Sequence, residues 1–132
     1  MIYNYSLTVP AARPETNPAV KTMLLSYGIV YQVELGFPPG CAALVHVSIW
    51  HLEHQVWPTN PDESFAWDDY TIRFTSEEVG LITPPYVMEL RAWSEDASYP
   101  HTVVCRLGMK KPQPQRVGSW LGRILTGSEV AD

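Results

Sequence analysis

Four side chains able to ligate a metal ion lie close together in the sequence, at His46, His51, Glu53 and His54. Imidazole and carboxylate groups are common zinc ligands, and two ligands on one face of a strand need i, i+2 spacing. An unbroken strand would place His46 and His51 on opposite faces. A bulge would bring His51, Glu53 or His54 back into range, but we favour polar surface or interface histidines over a metal site.

A second set of side chains with possible chemistry consists of oxygen donors between residues 60 and 69. They are Asn60, Asp62, Glu63, Asp68 and Asp69. Calcium binds oxygen ligands, but this set lacks the alternating spacing and central glycine of an EF-hand loop. Adjacent carboxylates could also act as general acid and base, but the sequence around them does not indicate a cleft that would bind a glycan. We therefore predict a solvated acidic loop.

Nucleophilic catalysis finds no support in the sequence, which contains no GxSxG, no CxxC and no glycine-rich phosphate loop. We predict a protein that is not an enzyme and binds no cofactor. Five tryptophans could still stack against sugars or bases: Trp50, Trp57, Trp67, Trp93 and Trp120. In a small sandwich such residues more often close the core or fill interfaces, and we favour those roles.

Length and charge limit the class of protein further. A chain of 132 residues fits one domain with a single core. Residues 1–105 carry 4 Lys or Arg against 12 Asp or Glu, whereas residues 106–132 carry 5 against 2. An acidic body disfavours nucleic-acid binding, which needs clustered cations facing phosphates.

The redox and membrane signals point to a cytoplasmic setting. No apolar run approaches the ~20 residues of a membrane-spanning helix, and the first ten residues do not resemble a signal peptide, so we expect no membrane partner. Cys41 and Cys105 are too few for a disulfide framework. One bridge stays open as an alternative, but we favour free thiols, one in a turn and one in a strand.

Alternation of apolar and polar residues predicts an all-β fold over residues 1–108. The predicted strands are Tyr3–Val9, Val20–Ser26, Ile29–Phe37, Ala42–Val56 with a break near 51–53, Tyr70–Thr75, Tyr86–Trp93 and a last strand with Val103, Cys105 and Leu107 inward. On the third strand, Ile29 and Tyr31 share the predicted inner face with Val33. Residues 76–85 are predicted to be a loop. Seven or eight such strands with proline-rich turns are typical of an antiparallel sandwich, jelly-roll or immunoglobulin-like.

The segment from 57 to 74, WPTNPDESFAWDDYTIRF, is predicted to be a long connection between the two sheets. We expect its aromatic residues Trp57, Phe65 and Trp67 to anchor it and its carboxylates to face outward. A rigid loop of this kind is the first place to look for a subunit contact.

Residues 109–132 are predicted to extend beyond the domain. The stretch KKPQPQ is a proline-containing linker, and Val117, Trp120, Leu121, Ile124 and Leu125 follow at helical spacing. A helix this short is marginal alone, so its apolar face should dock either on its own body or on a neighbouring subunit.

Several segments resemble a group of small proteins encoded among the structural genes of tailed phages and related particles. The segments are FPPGCAALVHV (37–47), HQVWPTNPD (54–62), FAWDD (65–69) and PPYVMELRAWSEDASYPHTVVCRLG (84–108). The resemblance covers about residues 5–108. It implies a virion component, assembled in the host cytoplasm, that decorates or cements a capsid or belongs to a tail or fibre attachment. It carries over no catalytic residue.

The expected function is therefore structural, with the major capsid protein or other virion subunits as partners and homo-oligomerisation through repeated contacts. The candidate interface residues are Trp57, Phe65, Trp67, Asp68, Trp120, Leu121 and Ile124. A rival interpretation is a carbohydrate-binding module that stacks sugars on Trp50, Trp57 or Trp67 with help from calcium. A metal-dependent enzyme built on His46, His51 and His54 is a third.

Overall fold

The computed structural model describes residues 1–112 and consists of eight strands in two antiparallel sheets. The strands are β1 (Ile2–Val9), β2 (Ala19–Leu24), β3 (Gly28–Phe37), β4 (His46–His51), β5 (His54–Trp57), β6 (Tyr70–Leu81), β7 (Val87–Trp93) and β8 (His101–Lys110). Sheet 1 has the order β1-β8-β3-β6, and sheet 2 has the order β2-β7-β4-β5. The predicted all-β antiparallel sandwich is confirmed. Residues 1–112 hold no helix that is long and apolar enough to cross a membrane.

The core consists of apolar side chains from alternate positions of both sheets. Leu35 and Leu107 of sheet 1 belong to the same buried cluster as Ile49 and Leu90 of sheet 2, and each is at most 1% exposed. Full burial of one such side chain contributes about 1.5–3 kcal/mol. Apart from the first residues of β3, the period-2 pattern of the sequence therefore predicts which side chains of these strands turn inward.

Strand β3 changes its inner face at an irregularity between Val30 and Gln32. The apolar residues after this point are buried, as predicted: Val33, Leu35 and Phe37. Before it, Val30 is buried, whereas simple alternation predicts Ile29 and Tyr31. A bulge adds one residue to a strand and so reverses the alternation beyond it, and the sequence carries no mark of this one.

Strand β6 is longer than predicted, because the loop expected over residues 76–85 begins only after Leu81. Val79 pairs with Val30 and Leu81 pairs with Gly28. Both apolar side chains are buried, so the core keeps the chain extended past the polar residues that precede them. β6 is an edge strand of sheet 1, where a polar run remains hydrated on its open side.

Strands β4 and β5 occupy the segment 42–56, for which a strand with a break near 51–53 is predicted. The chain turns through Ala42 and Ala43 at positive φ before β4 begins at His46. The predicted break near 51–53 is a two-residue hairpin turn, with Leu52 at φ 49° and Glu53 at φ 68°. Two positive φ angles in succession match the twist that antiparallel neighbours require. β4 lies between β7 and β5, which agrees with the expectation that it is central.

The last strand reaches Lys110, two residues past the predicted end of the sandwich domain at 108. Met109 on this extension is buried. Gly28 lies beside it at φ 150°, and a Cβ there would lie 2.7 Å from the carbonyl oxygen of Lys110. The predicted amphipathic segment, with Trp120, Leu121 and Ile124, lies outside the described residues.

Both cysteines are free and buried, Cys41 in the turn region before β4 and Cys105 in β8. Burial raises the pKa of the Cys105 thiol to about 12. Burial also raises the pKa of Cys41, and the negative charge of Asp68 adds to the effect. Thiols held protonated in this way pack as small apolar side chains and are poor nucleophiles.

An ion-paired triad joins three adjacent strands on sheet 1. Glu34 of β3 lies opposite Arg73 of β6 and Arg106 of β8 in the strand register. Its two carboxylate oxygens each accept a hydrogen bond from one guanidinium at 3.3 Å. Burial alone would raise the pKa of Glu34, but the hydrogen bonds and charges of Arg106 and Arg73 together lower it.

The Glu34 triad should make stability depend on pH. Because the folded-state pKa of Glu34 lies below its unfolded value, its contribution is present above the unfolded pKa and is lost as pH falls through the folded one. We expect the free energy of unfolding of the wild type to fall relative to Glu34→Gln between about pH 5 and pH 3. Urea unfolding at several pH values measures this difference. Glu78→Gln, at an exposed carboxylate with no cation partner among residues 1–112, is the control. A pH-independent difference for Glu34→Gln would contradict the prediction.

Candidate functional site

The connection from β5 to β6 crosses from sheet 2 to sheet 1, as predicted, and two of its aromatic residues hold it down. Phe65 forms two backbone hydrogen bonds of 2.9 Å with Val47 of β4 and stacks on Phe74 at 5.7 Å. Trp57 packs edge-on against Phe74 at 5.6 Å and is 5% exposed. Trp57, named from the sequence as an interface candidate, therefore lies in the core.

Trp67 has a different position from the other two aromatic residues of the connection. It is 55% exposed and meets the 57%-exposed Tyr70 edge-on at 6.1 Å. Tyr99, 53% exposed, lies at the same end of the sandwich and its hydroxyl donates to the Gly40 carbonyl at 3.4 Å. We call Trp67, Tyr70 and Tyr99 the aromatic end. It presents three large side chains to solvent instead of anchoring the connection, as was expected of Trp67.

Asp68 fixes the backbone beneath the aromatic end. One carboxylate oxygen accepts hydrogen bonds from the backbone N–H groups of Gly40 and Ala42, both at 2.9 Å. The neighbouring Asp69 N–H donates to the Pro38 carbonyl at 3.4 Å. Asp68 is exposed, as expected, but it is a clamp between the connection and the turn after β3. The aromatic residues are therefore displayed on a braced surface.

Loss of the Asp68 clamp should loosen the aromatic end without unfolding the core. Asp68→Ala removes the acceptor of two N–H groups, and we expect a destabilisation of about 1 kcal/mol at this exposed site. Thermal unfolding measures the loss, and hydrogen exchange should be faster at Gly40 and Ala42. Asp69→Asn is the matched control, because its side chain accepts no hydrogen bond from the turn and Asn tolerates its φ of 47°. Equal effects of the two substitutions would count against the clamp.

The opposite end of the sandwich is also apolar and exposed. Strand β3 runs from Gly28 to Phe37, and Phe37 pairs with Tyr70 at the aromatic end. Around Gly28 lie five side chains that are 48–63% exposed: Met1, Ile2, Leu24, Tyr27 and Ile82. Tyr27 is supported edge-on by Tyr86 at 6.2 Å. We call these five residues the apolar end.

The outer face of sheet 2 carries a groove of about 640 Å³ that sequence reasoning did not find. Its floor consists of Ser48 and Trp50 of β4 and Arg91 and Trp93 of β7. One wall is the loop of residues 15–18, and the other is the first part of the β5–β6 connection. A smaller depression of about 340 Å³ continues it past His46 and Leu44. We call this surface the outer groove.

The floor of the outer groove is held by specific contacts. The Trp50 indole N–H donates to the Ser48 hydroxyl at 2.8 Å, and the Arg91 guanidinium lies over the Trp50 ring at 4.1 Å. Arg91 also pairs with Glu89 at 2.7 Å. Trp93 stacks on the His46 ring at 5.7 Å. Ser48 is 1% exposed although it lies on the outer face, which fits the expectation that β4 is contacted on both sides.

Gln55 shapes the wall that the connection supplies. Its side-chain amide nitrogen donates to the carbonyls of Pro58, Asn60 and Glu63 at 2.8, 3.1 and 3.3 Å. One side chain thus fixes the loop in which Asp62 and Glu63 lie. The signal in the sequence is a single amide in a strand, three residues before the proline that opens a run of turn residues, which is too common to be specific.

Replacing the side-chain amide donor of Gln55 with an acceptor should loosen the loop that forms this wall of the groove. Gln55→Glu would direct a carboxylate at three carbonyl oxygens, and we expect a loss of about 2 kcal/mol of stability. Limited proteolysis should cleave within residues 58–64 before the core unfolds. Gln55→Lys is the control, because an ammonium group still donates to the carbonyls. The proposed role fails if Gln55→Glu and wild type are cleaved at the same rate.

The histidines predicted as weak metal candidates do not form one cluster, since His51 and His54 pair across the β4–β5 turn and His46 lies far from both. His46 and His51 occupy opposite ends of β4, about 17 Å apart along a strand, and His46 bonds through Nδ1 to the Ser64 hydroxyl at 3.0 Å. In the part of the chain that the structure describes, no three His, Cys, Asp or Glu side chains are grouped so as to hold a metal ion. The oxygen donors of residues 60–69 are likewise divided, with Asp62 and Glu63 at the groove and Asp68 at the turn.

The three tryptophans considered for sugar stacking do not share a surface. Trp50 lies in the outer groove, Trp57 in the core and Trp67 at the aromatic end. The groove that holds Trp50 also holds Trp93, because β4 and β7 pair and place His46 opposite Trp93, Ser48 opposite Arg91 and Trp50 opposite Glu89. That pairing joins residues that are distant in sequence, so alternation within one strand could not predict it.

Comparison with known proteins adds no functional information. A scan against protein-family models found no match to the chain, and a search of curated proteins found no similar sequence.

Proposed function

We propose that this protein is a non-enzymatic structural subunit of a phage-like particle, which decorates or cements a capsid by binding the major capsid protein and copies of itself. The observation that carries the proposal is the presence of exposed apolar surfaces at both ends of one rigid sandwich. Its site of action is the virion, and it binds neither nucleic acid nor membrane in this role.

Exposure of clustered apolar side chains is costly unless they meet a partner. Single exposed apolar residues are normal in monomers, but grouped ones mark interaction surfaces. The aromatic end and the apolar end differ in composition, so contact between them is heterologous and repeats from one copy to the next. Contacts of this kind close into rings or extend as open chains, so they repeat from subunit to subunit, as a decoration layer requires.

The aromatic end has the properties of a binding hot spot. Trp and Tyr dominate the energetics of protein interfaces because they bury large areas and have few rotatable bonds. Trp67 and Tyr70 rest on each other, and the Asp68 clamp fixes the backbone between them. Such preorganisation lowers the entropy lost on binding. On a symmetric particle many modest contacts add by avidity, so each surface can be small.

The resemblance of residues 5–108 to small structural-gene proteins of tailed phages supports the same proposal. Two of the segments that carry it, FPPGCAALVHV and FAWDD, supply the turn after β3 and the Trp67–Asp69 segment that meet at the aromatic end. The chemistry of the described residues is compatible with a structural role, since both cysteine thiols have raised pKa values.

Removal of the exposed aromatic residues should weaken association. We expect Trp67→Ser with Tyr70→Ser to raise the dissociation constant for self-association at least about tenfold, which corresponds to ~1.4 kcal/mol. Sedimentation velocity over a concentration series measures it. Val20→Thr is the control, because Val20 is 48% exposed on β2 but belongs to neither end. Unchanged association of the double variant with a normal melting curve would contradict this role for the aromatic end.

The decisive test of the proposed function is copy number on particles. Particles from cells that make the protein should be banded on a density gradient, and mass spectrometry should give the ratio of this chain to the major capsid protein. We expect a fixed ratio across the particle band. A protein that stays at the top of the gradient as a monomer would show that it is no decoration subunit.

A further inference from the structure

We propose that the outer groove receives the basic segment 111–127 of a second copy of the chain. The inference rests on the proposed function, since it assigns one of the contacts by which copies of the subunit would associate. It is carried by the charge and aromatic content of the groove and by the composition of that segment.

The rim of the outer groove has an excess of negative charge. Six carboxylates line the groove and its continuation: Glu15, Glu53, Asp62, Glu63, Glu95 and Asp96. Among the described residues, Glu53 alone of the six lies within 4.0 Å of a cation, and that cation, Arg91, has a nearer partner in Glu89 at 2.7 Å. Carboxylates on facing walls of a groove produce a negative potential that attracts a cationic ligand.

The aromatic floor of the groove also limits which ligands fit. Trp50 and Trp93 lie on either side of the buried Ser48, and the guanidinium of Arg91 stacks on the Trp50 ring. Aromatic rings favour cations and apolar side chains over anions. The groove therefore fits a peptide that alternates Lys or Arg with apolar residues, better than it fits an acidic or purely neutral chain.

The chain itself contains such a peptide. Residues 111–127 read KPQPQRVGSWLGRILTG, with Lys111, Arg116 and Arg123 as cations and no carboxylate. Trp120 and the apolar residues around it supply the other half of the chemistry. The segment beyond Pro112 lies outside the described residues, so its complementarity is one of composition and charge.

A second copy is a better donor of the segment than the same chain. β8 is a central strand of sheet 1, and it ends at Lys110 beside Ile29. The groove opens on the outer face of sheet 2, away from sheet 1, and continues towards His46 and Trp93 at the opposite end of the sandwich. A chain leaving Lys110 would have to pass around the sandwich to reach its own groove, and we therefore assign the groove to the segment of a second copy.

Charge reversal on the full chain tests the contact. Glu15→Lys with Glu63→Lys reverses one carboxylate on each wall, and Arg116→Glu with Arg123→Glu reverses the segment. We expect each pair to weaken self-association at least about tenfold, and the combination of all four to recover most of the loss. An equimolar mixture of the two reversed proteins should also associate, because each then meets a complementary partner. Glu78→Lys, on the outer edge of sheet 1, should have no effect.

Isotope labelling identifies which chain supplies the segment. With Trp120→p-benzoylphenylalanine in an equal mixture of light and heavy protein, photo-crosslinks to groove peptides should join light to heavy chains. Crosslinks only within one isotope would place the segment in its own groove and overturn the inference. The inference would also be overturned if the mixture of the two reversed proteins did not associate. Binding of neutral oligosaccharides that depends on Trp93 and is unchanged by either charge reversal would overturn it as well. If the aromatic-end variant still abolishes association in those cases, the proposed function survives.

Discussion

The paired backbone hydrogen bonds between Val47 and Phe65 hold the β5–β6 connection against sheet 2, and both candidate surfaces depend on them. On one side of this bridge the connection supplies Asp62 and Glu63 to the wall of the outer groove. On the other side it supplies Trp67 and the Asp68 clamp to the aromatic end. A single crossing between sheets therefore positions two surfaces, because its midpoint is fixed to the central strand β4 and stacked on Phe74. Disturbance of the bridge would be felt at both.

The sequence was sufficient for the fold class because burial imposes a period of two on every strand. It gave the wrong prediction in two strands, β3 and β6. The bulge between Val30 and Gln32 reverses the inner face of β3, and Val79 and Leu81 keep β6 extended through a polar run that reads as a loop. Both departures follow from contacts with strands distant in sequence, and local alternation holds no information about those contacts.

The same limit explains which parts of the candidate site were predictable. Trp67 and Asp68 belong to one short segment, and the aromatic and acidic residues of that segment were enough to predict that it is important. The outer groove needs β4 beside β7, with Ser48 opposite Arg91 and His46 opposite Trp93. The spacing of residues within either strand does not predict that the two strands pair. The role of Gln55 is a further case, since three carbonyls converge on one amide only after the loop has folded.

A protein with two exposed apolar ends needs protection from indiscriminate association, and the charge distribution supplies it. Residues 1–105 carry 12 acidic against 4 basic residues, so the bodies of two copies repel each other at long range. The edge strands add local protection, with Lys21 on β2 and Arg73 on β6, since edge charges oppose strand-to-strand pairing. In the proposed contact, a basic segment that meets an acidic groove would reverse the sign of the interaction at one place only. Charge would then select the register, and the aromatic and apolar ends would stabilise the contact once that register had been found.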